Sequence, residues 1–319
     1  MKFVRRHLTM DFVRRHLRLV AFLVLAIVTV YGLSRMFSGD WRSALSFWRG
    51  KVPVLCLCVV LQGMDISFDS YLWSLILREF DVRYERRIGT LVFMSGYAGL
   101  FLPFQLGRFI RSEAIARLGL GEFGEAVKAE FVLLFLTAVS AAGVVAGAVT
   151  YAVFPWAVPV AVLGVIGAAL FFADRAFALL ARTPVNLPAG YWWRWRTFAI
   201  GCLTMVGWLV SGSLLYLVVH DLPGGIQYWQ ALFVAPANLV LGQATGLPGG
   251  VGAIEGFIGA TLRLLEMPPT HLTLAVGAFR LVTFWIWLPI GWLAFTTVNR
   301  IVAKQCIQNA QALPIADSE

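Results

Sequence analysis

The sequence predicts an all-α integral membrane protein, with about six full transmembrane helices and two re-entrant helical hairpins entering from opposite sides in an inverted-repeat-like arrangement. Three observations lead there. The 319 residues are 59% hydrophobic and only 13% charged, where soluble domains average about 25% charged. Apolar runs long enough to cross a bilayer recur along the chain, as a crossing needs about 20 residues. Two further apolar stretches are broken by glycine and proline, and irregular backbone at membrane depth persists only where protein or water covers its N–H and C=O groups.

Taken in order, residues 1–16 are a basic arm carrying FVRRHL twice, at 3–8 and 12–17. It reads as a cytoplasmic anchor by the positive-inside rule, with binding of anionic lipid heads as the functional alternative. The first span is 17–37, and no small-residue cleavage site follows it, so it is read as an uncleaved anchor. The second span, 52–77, contains Asp65 and Asp69. At i and i+4 these carboxylates share one helix face, and intramembrane acids usually face the bundle interior or water. They form either a proton or cation site, or a pair of hydrogen-bonded polar residues near one leaflet.

The stretch 88–107 is interrupted by Gly96, Gly99, Pro103 and Gly107, and then by Arg108 and Arg111. Pro103 lacks an N–H and restricts Leu102, so the helix is expected to end near Phe101 and the chain to turn back. Arg108 and Arg111 directly follow the break, where a guanidinium can hold a lipid phosphate in bidentate geometry.

Spans 129–154 and 156–180 meet at Pro155, and Glu130 opens the first of them. Gly143 and Gly147 make a small-xxx-small face suited to helix packing. Trp192, Trp193 and Trp195 among Arg194 and Arg196 form an interfacial belt. Such interleaving suggests nucleic acid in a soluble protein, but flanking spans exclude that partner here. Span 198–219 ends in a Pro-Gly-Gly turn, and 228–265 is the second interrupted region.

That region holds the most informative run, Leu247 to Ala260. Pro248, Gly249, Gly250 and Gly252 stop one helix and start another, and Glu255 is the only charge between Asp221 and Arg263. The amides and dipole at the start of the new helix favour an anionic group. The last span, 272–298, carries Arg280 within its apolar run, and 299–319 is a polar cytoplasmic tail.

This assignment puts most of the 26 Lys and Arg on one side. By the positive-inside rule both termini are then cytoplasmic. Two interrupted segments in opposing halves point to a transport site between inverted repeats. The four cysteines form neither a disulfide framework nor a metal-ligand spacing, and no metal or cofactor is expected.

The residues also carry a family resemblance over nearly the whole chain. The run Gly99 to Arg111 is similar to the first signature of the lysylphosphatidylglycerol synthase transmembrane domain, a flippase-like family, with Pro103, Gly107 and Arg111 matching. Gly99 stands where the family has Asn, and Arg108 where it has an acid. A later Glu-Arg-x-x-Asp pattern keeps Glu130 but has Phe131 and Leu134. The second signature, Pro-Gly-Gly-x-Gly-x-x-Glu followed by an Arg in the last span, is fully kept as Pro248 to Glu255 with Arg280.

The resemblance implies translocation of a lipid between leaflets, whether aminoacyl-phosphatidylglycerol, polyprenyl-linked or hopanoid-type. It also makes membrane lipids the partners, with a separately encoded lipid-synthesising enzyme and a second copy of the chain as compatible ones. The expected headgroup site is Gly249, Gly250, Gly252, Glu255 and Arg280, with Pro103, Gly107, Arg108 and Arg111 opposite, and Asp65, Asp69 and Glu130 as a polar cavity. Glu255 pairs with Arg280 or meets a cationic headgroup.

Only a short tail follows Val298, so no synthase activity is expected. The alternative function is a proton-coupled small-solute transporter using Asp65, Asp69 and Glu255. A lipid-modifying enzyme is disfavoured because Asp65 and Asp69 lie on one helix, whereas an acid dyad needs side chains converging from two elements.

Overall fold

The computed structural model describes residues 41–100, 102, 106–180, 187–188 and 190–312. The basic arm, the first expected span at 17–37, Pro103 and the last residues of the tail lie outside them. Residues 51–319 form one compact unit, and residues 1–50 belong to a second.

Among the described residues the fold is all-helical, with five helices long and apolar enough to cross a membrane: Arg49–Glu79, Phe123–Val153, Pro155–Arg175, Trp195–Val219 and His271–Gln305. Each overlaps an expected span. The first lies within α1 (Trp41–Glu79), whose Asp81 turn takes a left-handed φ of 59°, a conformation that a short polar side chain tolerates.

Between α1 and the next long helix come α2 (Arg86–Ser95), a 3₁₀ turn at Gly96–Gly99, and α3 (Arg108–Arg117). At 10 residues each, α2 and α3 are about 15 Å long, half the hydrocarbon core of about 30 Å. The α-helix passes at Gly96 into the 3₁₀ turn, and helical backbone runs on to Leu100, next to the expected end near Phe101. Gly96 admits the Arg111 side chain: a Cβ there would lie 2.2 Å from Arg111 Nε. Gly99 and Gly107 let the two arms of the turn touch, since a Cβ on Gly99 would lie 2.4 Å from the Gly107 Cα.

α4 (Phe123–Val153) stops at Pro155 and is followed by α5 (Val158–Leu180). Gly147 packs against Val162, where a Cβ would come within 2.9 Å, so the small-residue face joins α4 to α5. The tryptophan belt divides. Trp193 and Trp195 are exposed, while Trp192 is buried with Phe135 and Phe177, ring centroids 4.8 Å from each. α6 (Trp195–Val219) follows. Its end adjoins Asp221, which pairs with the buried Lys51 at the start of the compact unit. Burial is the largest single influence and would raise the Asp221 carboxyl, but the Lys51 hydrogen bond and charge, with a backbone hydrogen bond and His220, together hold the group below the usual range.

The second interrupted region is α7 (Tyr228–Ala244), a 3₁₀ turn at Pro248–Gly250, and α8 (Ala253–Leu264). With 17 and 12 residues, both are shorter than the hydrocarbon core. α7 lies against α4 and α6. The last span is not one uniform helix. α9 (Pro269–Arg280) passes through a π-helical turn at Leu281–Trp285 into α10 (Trp287–Ala312). The Trp287 indole N–H caps the Val282 carbonyl at 2.7 Å, one of the acceptors the widened turn leaves open.

Candidate functional site

The two interrupted regions meet. A Cβ on Gly249 would lie 3.3 Å from the Leu100 carbonyl oxygen, so the tip of the second break touches the first. Around this meeting point is a cavity of about 430 Å³, walled by α1, both breaks, α3, α4, α6, α7 and the π-helical turn. Asp65 and Asp69 line it from α1, Arg108 and Arg111 from α3, and Arg280 from the end of α9.

The arginines at the first break stand on a buried acid. Glu130, 3% exposed, places one carboxylate oxygen 3.6 Å from Arg111 Nη1 and 4.0 Å from Arg108 Nη1. Arg111 lies over the Phe93 ring, 3.8 Å from its centroid, a cation–π contact that strengthens when water is excluded. Among the described residues, Arg111 Nε and Nη1 have no hydrogen-bond partner. Asp69 faces both arginines across the cavity. Where the family signature has an acid, this chain thus has Arg108, with acids on both sides of it.

The second break is a closed clamp. Arg280 Nε donates to Glu255 Oε1 at 2.7 Å and Nη2 to the Gly249 carbonyl at 3.0 Å, while the guanidinium covers the Phe284 ring at 4.3 Å. The other Glu255 oxygen accepts the Gly252 N–H at 2.7 Å. The amide expected to receive a ligand anion therefore binds a carboxylate of its own helix, three residues on, as a capping acid does. Gly249, Gly250 and Gly252 take φ values of 60°, 63° and 85°, which a side chain rarely adopts. Their left-handed backbone brings the Gly249 carbonyl onto Arg280.

Of the expected residues, Asp65, Asp69, Gly107, Arg108, Arg111, Gly249, Gly250 and Arg280 line the cavity. Glu130, Gly252 and Glu255 stand behind this wall, holding the arginines or the turn. Pro103 lies outside the described residues. Sequence reasoning missed Gln62, Thr204 and Ser211, which also line the cavity. The available signal was the recurrence of small and polar residues at Thr204, Gly207 and Ser211, one face of a helix inside an apolar span.

This architecture defines a multi-pass α-helical membrane protein with a charged internal cavity formed at two broken helices. The chain belongs to the family described as the lysylphosphatidylglycerol synthase TM region, whose profile matches residues 16–291. No curated protein matches the chain.

Proposed function

We propose that this protein carries a lipid headgroup between leaflets through the cavity, without chemical modification of the lipid, while the acyl chains stay in the bilayer. The observation that carries this reading is the junction of the two breaks around a charged cavity with an apolar, accessible rim. Leu247 lines the cavity and is 46% exposed, so the lining reaches the surface of the molecule there, which in this reading is the side open to the bilayer. A proton-coupled solute carrier needs a sealed lateral wall, and the Leu247 rim favours lipid.

In this reading the phosphate binds at Arg111, whose Nε and Nη1 have no hydrogen-bond partner among the described residues, with Arg108 beside it, whereas the Arg280 clamp already has partners for its Nε and Nη2. Family membership supports a lipid-related role. Three long helices, α4, α5 and α6, lie between the two interrupted regions; if each crosses fully, the chain changes sides between them, and in this reading the breaks enter from opposite faces as re-entrant hairpins. The charge bias along the sequence supports cytoplasmic termini and a bacterial inner membrane.

The test is a vesicle assay. Protein reconstituted with a fluorescent phospholipid should expose inner-leaflet label to an impermeant reductant faster than protein-free vesicles do. Arg108→Ala combined with Arg111→Ala should return the rate towards the protein-free value. A parent protein no faster than empty vesicles would overturn the reading.

A further inference from the structure

Among the described residues the charged groups lining or backing the cavity do not balance, and the surplus is one carboxylate. Arg108 and Arg111 lie between Glu130 and Asp69, and Arg280 is bonded to Glu255. Three guanidiniums thus face three carboxylates. The fourth carboxylate, Asp65, has no guanidinium against it among the described residues. From its own helix it meets Asp69, a like charge, and Gln62, whose amide donates to Asp65 Oδ2 at 3.1 Å. The 3₁₀ turn presents the neutral Tyr97. α6 presents Gly207, where a Cβ would lie 3.0 Å from Asp65 Oδ1. Asp65 Oδ1 is buried and has no hydrogen-bond partner among the described residues.

A second unpartnered group faces the same wall. Ser211 lines the cavity, is 8% exposed, and its hydroxyl has no partner among the described residues. It lies one helical turn beyond Gly207, about 6 Å along the axis. Gln62 and Asp65 on α1 and Ser211 on α6, one turn from the Gly207 that Asp65 packs against, thus bring an amide, a carboxylate and a hydroxyl to the cavity lining. A buried charge is tolerated when paired, and oxygen donors beside an uncompensated carboxylate are the chemistry of a cation.

We infer that Asp65, with Gln62 and Ser211, forms a site for a monovalent cationic group on the α1/α6 wall. The group is either the ammonium of a lipid headgroup or a free alkali ion, and both make the same contacts. The site extends the proposed carrier function, resting on the same cavity, by making a positive charge part of what the cavity accepts. Asp65 acts through its charge, so the isosteric Asp65→Asn is the decisive variant: it resembles a carboxyl that merely holds a proton.

The test uses the purified full chain in detergent, with titration calorimetry against four probes: sodium, potassium, glycerophosphoethanolamine and glycerophosphoglycerol, at constant ionic strength. Preference for the ethanolamine ester over the glycerol ester identifies the headgroup as the source of the cation, and heat from an alkali ion alone identifies a free ion. In either case Asp65→Asn should weaken that binding roughly tenfold or more, as for loss of a hydrogen bond to a charged group. Ser211→Ala should weaken it by a smaller factor.

The inference is overturned if Asp65→Asn, folded by its thermal transition, binds every probe as the parent does, or if the parent binds no cation and does not distinguish the esters. The vesicle assay separates the two readings. Lipid movement with no Asp65-dependent cation binding rejects only the cation site, whereas Asp65-dependent binding without lipid movement rejects only the carrier.

Discussion

Each break in this protein sets a glycine-rich turn beside a buried arginine and a glutamate, yet the two are built differently. At the second, Arg280 and Glu255 are in direct contact at 2.7 Å, and the pair also holds the Gly249 carbonyl and the Gly252 amide. Its glutamate side chain remains 29% exposed. At the first, Arg111 and Glu130 are 7% and 3% exposed, stand 3.6 Å apart, and among the described residues leave Arg111 nitrogens without hydrogen bonds. The clamp satisfies its own groups and so fixes backbone. The first break keeps donor capacity in a buried site, where a ligand anion gains most.

The widest separation between the two should come from removing each acid. Glu130→Ala leaves the buried Arg111 and the partly exposed Arg108 without this carboxylate, and breaking a buried pair typically costs about 3–5 kcal/mol. Denaturant or thermal unfolding in detergent should register it as the largest loss in the series, and a near-neutral result would mean that water already solvates this group. Glu255→Gln keeps an acceptor for Arg280 and acts where water has access, so the loss should be smaller, about 1–3 kcal/mol.

Function should divide the other way. Arg111→Lys keeps the charge but loses the planar group stacked on Phe93. Lysine and arginine are not interchangeable at a stacked site, so phosphate-analogue affinity and vesicle transport should fall roughly tenfold, the scale of one hydrogen bond to a charged group. The unfolding midpoint should move little. Arg280→Lys should reverse that ranking, shifting the midpoint more than the affinity. Equal effects of both substitutions on both measurements would erase the distinction between a binding break and a structural one.

The smallest effect is expected at Gly252. Its φ is 85° but no atom lies within 4 Å of a Cβ built there, so Gly252→Ala should cost only the left-handed strain, about 1–2 kcal/mol. Gly249→Ala carries the same kind of strain plus a clash, its Cβ falling 2.5 Å from the Phe284 ring. It should therefore unfold at a lower temperature than Gly252→Ala. A reversed order would show that Phe284 moves freely.

Much of this molecule was legible in the sequence because bilayer physics acts locally. A run of about 20 apolar residues spans wherever it occurs, so the five long helices could be placed from hydropathy, and Pro155 marked the joint between two of them. The glycines at 249, 250 and 252 marked a break because left-handed backbone selects for glycine. The Glu255–Arg280 pair could be anticipated because neither charge is stable alone in an apolar helix.

Other features depend on residues distant in the chain. Trp192 reads as part of an exposed aromatic belt until Phe135 and Phe177 enclose it. Arg111 lies on Gly96, an approach that no local propensity encodes. The π-helical turn after Arg280 has no periodicity of its own to betray it.

The sequence by itself determined that the chain spans a membrane, where it breaks, and which charged residues lie near the breaks, since each of these follows from neighbours within a turn or two. Only the tertiary structure decided that Glu255 holds the Gly252 amide, that Glu130 stands behind the arginines rather than in the cavity, and that Asp65 has no counter-charge among the described residues. The reason is that charge pairing is settled by distances between helices, and these are set by packing among residues far apart in sequence.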